Sequence, residues 1–256
     1  MKKISFVLLF AAMGFSSLCA QTADGGPLRF GFQVSPVVSF MHGNDRDVDA
    51  AGANLGLNLG LVGEYYFNAN RNYGLTTGVS FILNKGGNLT YGVAGDYLSR
   101  TGFSSGLTAA LTDTTGQLNR TLAPGTSVAH RINFVHIPIG LKLRTDYLFG
   151  SDIRGFAQVP MLGIDIATSA RGDVRLGNQS DALYEKETIY PDIQPFGLTV
   201  GGGLGVEWYP QDEQMSIVAG IFYNGGLLDM TRAGAQPSTQ SKATISDVTI
   251  RLGIMF

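Results

Sequence analysis

From Thr244 to Phe256 the even positions read Val248, Ile250, Leu252, Ile254 and Phe256, while the odd ones read Asp247, Thr249, Arg251, Gly253 and Met255. Successive side chains of a β-strand point to opposite faces, so one face of this segment is continuously apolar and the other polar or small. The same period of two recurs along the chain. Residues 30–41 set Phe30, Phe32, Val34 and Val38 against Gly31, Gln33, Ser35 and Ser39. Residues 54–67 set Leu55, Leu57, Leu59 and Leu61 against Asn58, Gly60 and Glu64. The stretch 75–85 sets Leu75, Val79, Phe81 and Leu83 against Thr76, Gly78, Ser80 and Asn84, and 135–144 sets Val135, Ile137, Ile139 and Leu141 against His136, Lys142 and Arg144. In 196–209, Leu198, Val200, Leu204 and Val206 oppose Thr199, Gly201, Gly203 and Glu207. Two more segments, 153–168 and 215–230, alternate less cleanly. In the first, Gln158 and Asp165 fall on opposite parities, which predicts a β-bulge between them. These are eight candidate strands, each long enough to meet the 9–11 residues that a tilted strand needs to cross a bilayer.

The connections sort by parity. Those at 68–72, 147–152 and 210–214 are short, and those at about 43–53, 86–129, 169–194 and 231–243 are long. Short turns at one end and long loops at the other are the pattern of membrane barrels with periplasmic turns; a soluble sandwich has no reason to sort its loops in this way. Tyr65, Tyr66, Phe67, Tyr73, Tyr147, Phe149, Trp208 and Tyr209 gather near the short turns, where an interfacial girdle belongs. Only 15% of residues are charged, and 35 of the 256 are glycine. A water-exposed sheet face would carry more Lys and Glu, whereas Gly, Ser, Thr and Asn suit the inside of a narrow barrel. The expected fold class is all-β: an eight-stranded antiparallel transmembrane β-barrel with short periplasmic turns and long extracellular loops.

Met1-Lys2-Lys3, the apolar run Ile4–Phe15 and the small residues before Gln21 read as a secretory signal peptide. The expected division is 1–20 signal peptide and 21–256 barrel, exported through the inner membrane to the outer membrane. Leu18 before Cys19 does not fit a lipidation site. One cysteine excludes a disulfide scaffold, and a net charge of −2 gives no footprint for nucleic acid.

The segment Phe134-Val135-His136-Ile137-Pro138-Ile139-Gly140-Leu141-Lys142-Leu143 resembles a strand of the PorT-like outer-membrane barrel domain widespread in Bacteroidetes, and Tyr73-Gly74-Leu75-Thr76-Thr77-Gly78-Val79-Ser80-Phe81 is similar to that family's second hairpin strand. The resemblance runs over nearly all of 21–256. It implies the barrel fold and, for one member, a role in protein secretion and gliding; it assigns no functional residue here.

Parity places Glu64, His136, Lys142, Arg144, Glu207, Asp247 and Arg251 inside, as a lumen charge network. An eight-stranded barrel is filled by its own side chains, and buried charges need partners. Catalysis is not expected: no G-x-S-x-G elbow occurs, and His42 and His130 read as rim-surface histidines near Ser39 and Ser127. Asp45, Asp47 and Asp49 form a weak surface cation site at most, because an EF-hand needs Gly where Ala50 stands and Glu where Gly56 stands. The run Gly201-Gly202-Gly203 lacks the spacing of a phosphate cradle. Asp113-Thr114-Thr115 resembles an O-glycosylation acceptor at Thr114, and the leucines of 86–129 imply order in that loop. No cofactor or metal is expected. The expected partners are the outer-membrane bilayer, the assembly machinery through the strand ending at Phe256, and a protein or envelope partner at the loops of a monomer. A narrow channel for small solutes or ions is the first alternative, and a lipid- or peptide-processing enzyme the second.

Overall fold

The computed structural model describes residues 26–43, 47–148, 152–177, 183–210, 215–232 and 242–256. The leader 1–20, with Cys19, lies outside the described residues, as do Asp45 and Phe149.

Among the described residues nine strands form in chain order: β1 (Leu28–Gly43), β2 (Val48–Tyr66), β3 (Tyr73–Tyr91), β4 (Thr126–Tyr147), β5 (Ile153–Arg175), β6 (Leu183–Glu187), β7 (Phe196–Trp208), β8 (Ser216–Gly226) and β9 (Ala243–Met255). One short helix, α1 (Ser105–Leu111), lies between β3 and β4. Eight strands close a ring in the order β1-β2-β3-β4-β5-β7-β8-β9, every neighbour pair antiparallel. The seam between β1 and β9 is sealed by reciprocal backbone bonds between Phe30 and Phe256. The ninth strand, β6, falls outside the eight expected; it pairs only with the far end of β5, beyond the point where β7 leaves it.

The outward residues make an apolar belt: Phe32, Phe81, Leu162, Leu204, Ile221 and Ile250 are among the most exposed large apolar side chains, with Leu204 at 68%. Water would penalise so much open hydrocarbon surface at about 25 cal/mol per Å²; lipid does not. Closure pairs each of the eight ring strands on both sides, as lipid requires of a spanning sheet; β6, with one partner, lies at the far end of β5. The chain is a membrane-spanning, eight-stranded β-barrel.

Its wall is uneven. β4 and β5 have 22 and 23 residues, about twice a membrane crossing, whereas β8 has 11. The long connection after β3 therefore begins later and ends sooner than its composition implies, spanning 92–125 rather than 86–129. Several register shifts interrupt the wall, and two of them decide which polar side chains face inward. The one expected in β5 lies between Gln158 and Met161, where Val159 and Pro160 both face outward. The other has no counterpart in the sequence reading: Asn84 adopts φ +61°, and the pairing of β3 with β4 shifts between Ile82 and Lys85. Asn84 leaves the inner face to which strict alternation assigned it, and Lys85 takes its place inside.

Candidate functional site: the filled lumen and its ordered cap

The lumen holds three layers. Nearest the short turns, Lys142 Nζ lies 2.5 Å from Glu64 and also contacts Glu207. Arg144 donates to Glu207 at 2.7 Å, and Arg29 lies 3.8 Å from the same carboxylate. The phenols finish the layer: Tyr66 donates to Glu64 at 2.5 Å, Tyr209 donates to Glu207 at 2.8 Å and accepts from Arg144 at 2.7 Å. Tyr66 and Tyr209 are buried and face inward, so they leave the girdle that Tyr65, Phe67, Tyr73, Tyr147 and Trp208 form on the outside. The parity that puts Glu64 and Glu207 inside reaches two residues on to Tyr66 and Tyr209, and β1 begins early enough to bring Arg29 in on the inward parity of Gly31 and Gln33.

Arg251 stands apart in the next layer. Its guanidinium lies 3.8 Å from the Phe222 ring centre and donates to Gln158 Oε1 at 2.7 Å, with no carboxylate within 4.0 Å among the described residues. The glycine run of β7 makes room here. A Cβ on Gly203 would overlap the Phe222 ring, and one on Gly205 would meet Phe156 at 2.6 Å. Packing, not phosphate binding, accounts for those glycines.

Higher up, Lys85 Nζ sits 3.0 Å from Asp165 and 2.8 Å from Asp247, and His136 Nδ1 lies 2.5 Å from Asp165. Asp247 also accepts from Asn224 at 2.8 Å and Thr249 at 2.9 Å. The expected single network is thus two clusters. Glu64, Lys142, Arg144 and Glu207 share one; His136 and Asp247 share the other with Lys85 and Asp165; Arg251 joins neither. Alternation hides Lys85, which follows a bulge that reverses parity, whereas the opposite parities of Gln158 and Asp165 mark the bulge of β5 without pairing Asp165 with any cation.

Above the second cluster the lumen turns apolar. Met41, Leu89, Ile132, Val174 and Ile245 line it, and Leu98, Leu107 and Leu122 of the 92–125 connection descend onto them, all buried. Phe103 and Leu111 pack at the edge, while Leu118 is exposed. The cap is cross-tied by buried acids from the β5–β7 connection. Asp192 accepts from Thr101 Oγ1 at 2.6 Å and from the Arg100 amide at 3.0 Å; Glu187 accepts from the Ser104 amide at 2.9 Å and from its hydroxyl. Arg120 donates to the Leu98 and Thr101 carbonyls at 2.6 and 2.7 Å while stacking 4.4 Å from the Phe103 ring.

The remaining residues of interest are dispersed. His130, expected on the surface, is buried in β4 with Nδ1 3.1 Å from the Val128 carbonyl, because β4 starts earlier than its alternation alone showed. His42 is exposed and packs edge-on to Phe40. Ser39 is buried and accepts from the Gly86 amide at 2.8 Å. Asp47 and Asp49 are exposed, and no group of three metal-ligating side chains occurs among the described residues. Thr114 is exposed on a turn held by the Asp113 carboxylate, which accepts from the Thr115 hydroxyl at 2.6 Å and the Gln117 amide at 2.9 Å. Those bonds hold the Asp113 carboxyl below the usual carboxylate range.

No family model matches the chain, and no curated protein matches it. Among solved structures it is similar to neisserial surface protein A, at 12% identity and TM-score 0.40, covering 88% of this chain and 95% of that one. It is also similar to the attachment invasion locus protein Ail of Yersinia pestis, at 10% identity and TM-score 0.35 over 89% and 98% of the two chains. A major outer membrane protein from Thermus thermophilus gives 13% identity and TM-score 0.39 over 90% and 98%. The barrel assignment rests on the closed ring and the outward belt.

Proposed function

We propose that this chain is an outer-membrane barrel of the PorT-like type, exported by its leader, and that it works without catalysis as a membrane-anchored scaffold whose cap engages a protein or envelope partner. The observation that carries this reading is the filling of the lumen: charged clusters near the turns, an apolar plug above them, and a cap tied down by Asp192 and Glu187. A passage for solutes would have to break ion pairs and then cross a dry layer. A cap used only as a seal would not need seven helical residues and two buried carboxylates to fix its shape. Loops raised on a rigid barrel are where binding surfaces sit.

The test has two arms. Folded protein in a planar bilayer is expected to be electrically silent; reproducible single-channel steps would sink the scaffold reading. Photo-crosslinking residues placed at exposed cap positions such as Thr114 and Asn119 are expected to capture one discrete partner in intact cells, and the same residue at lipid-facing Leu204 is not. Equal capture at both sites would count against the cap as the binding face.

A further inference from the structure

On the outer wall, just above the apolar belt, Arg131 of β4 and Arg171 of β5 are directly opposed in the strand ladder. Both side chains face outward and are exposed. Like charges directly opposite one another on a sheet repel. Lys186 of β6 adds a third cation to the same cleft of about 310 Å³.

The cleft is built rather than incidental. Its floor is tied across three strands: the Asn84 amide donates to Asn133 Oδ1 at 2.9 Å, and Asn133 Nδ2 donates to Ser169 Oγ at 3.0 Å. The bulge at Asn84 therefore shapes this wall as well as the lumen. Asp173 fixes the rim, accepting from the Arg131 guanidinium at 2.5 Å and from the Lys186 amide at 2.9 Å. Asp173 neutralises one cation, and Arg171 and the Lys186 ammonium have no acidic partner within 4.0 Å among the described residues. The cleft carries a net charge of +2 from Arg131, Arg171, Lys186 and Asp173.

Its height identifies the ligand class. The next outward rows below are Asn133 with Ser169, then Val135 with Ile166 and Ile137 with Ile164, where the belt begins. Four residues separate the arginines from Val135, about 13 Å along a strand that rises ~3.3 Å per residue and less in height because the strand is tilted. That is headgroup depth, at the end of the barrel bearing the long loops. Arginine forks match phosphate oxygens, and Lys adds a point charge.

We propose that this cleft binds a phosphate carried by a lipid of the leaflet facing the long loops, with Arg171 and Lys186 as principal contacts and Arg131 held in place by Asp173. The inference rests on the outer-membrane reading proposed above.

Native mass spectrometry of the full barrel in neutral detergent tests it, with lipid A bearing two phosphates as probe and the same lipid stripped of phosphate as control. The expected result is retention of the phosphorylated lipid, with at least tenfold weaker binding in Arg171→Gln/Lys186→Gln. Both side chains are exposed, and heat-modifiable electrophoretic mobility reports whether the variant is folded. Equal binding by the folded variant, or by the stripped lipid, overturns the site. Displacement of the lipid by an equal concentration of inorganic phosphate would reassign the cleft to a soluble anion and also overturn it. Failure of the wild-type barrel to partition into detergent would instead overturn the outer-membrane reading on which the site rests, so the two failures are distinguishable.

Discussion

The ammonium of Lys142 lies 2.5 Å from the Glu64 carboxylate, joining β4 to β2 across the lumen although the two residues are 78 positions apart. Glu207 shares that ammonium, takes Arg144 and Tyr209, and has Arg29 3.8 Å away, so β1, β4 and β7 meet on one buried acid.

Glu207→Gln is therefore expected to be far more harmful than removal of a surface charge. It leaves Lys142, Arg144 and Arg29 facing one remaining carboxylate, and breaking a buried pair from one side costs about 3–5 kcal/mol. Urea unfolding of the barrel in vesicles measures the change. A shift below about 1 kcal/mol would show that Glu64 alone holds the cluster.

Asp192→Ala should loosen the cap without unfolding the barrel. Hydrogen bonds to a charged acceptor contribute about 1.5–3 kcal/mol, and Asp192 accepts from both Thr101 and the Arg100 amide. Limited proteolysis is expected to cut within 92–125 at least tenfold faster, with the heat-modifiable band unchanged. Unaltered cutting would mean that Glu187 and the buried leucines suffice.

The turn carrying Thr114 should respond to acid. Because the folded-state pKa of Asp113 is depressed, its contribution is fully present above the ordinary carboxylate value and is lost as pH falls through the lower folded value. Exchange of the Gln117 amide, corrected for intrinsic rates, is expected to show protection at pH 6 that disappears in strong acid. Asp113→Asn should remove that pH dependence.

At Asn84 the backbone itself is the constraint. With φ +61°, Asn84→Val is expected to destabilise by roughly 1–3 kcal/mol, whereas Asn84→Gly keeps the conformation available. Urea midpoints of the two variants, compared with wild type, are the measurement. Equal losses would mean that the side-chain bond from Asn84 Nδ2 to the Leu55 carbonyl, 2.6 Å long, matters more than φ.

The barrel was legible because lipid and lumen impose a period of two, and that period survives in β1, β2, β7 and β9 with little interruption. Glu64, Lys142, Arg144 and Glu207 could be placed together for the same reason. Alternation reveals a bulge only where inward polar residues flank it on opposite parities, as Gln158 and Asp165 do; elsewhere one extra residue reverses every later side chain unannounced. Lys85 was hidden by Asn84 in this way. The tall wall was hidden by composition: Val128, His130 and Ile132 alternate with Ala129 and Arg131, but the flanking Ser, Thr and Gly read as loop. The cap was legible only as regularly spaced leucines, because tertiary partners such as Asp192 and Glu187 come from a different connection. The arginine pair could not be seen from spacing, since Arg131 and Arg171 become neighbours only through the β4–β5 register.

The change from a charged lower lumen to an apolar upper one also divides the molecule calorimetrically. Exposing apolar surface raises the heat capacity and exposing polar surface lowers it, so among the inward side chains the upper storey contributes more to the heat-capacity change of unfolding than the ion-paired layers do. Apolar cohesion weakens on cooling. Cold will therefore soften the cap, around Leu98, Leu107 and Leu122, while the ion-paired storey beneath keeps its shape.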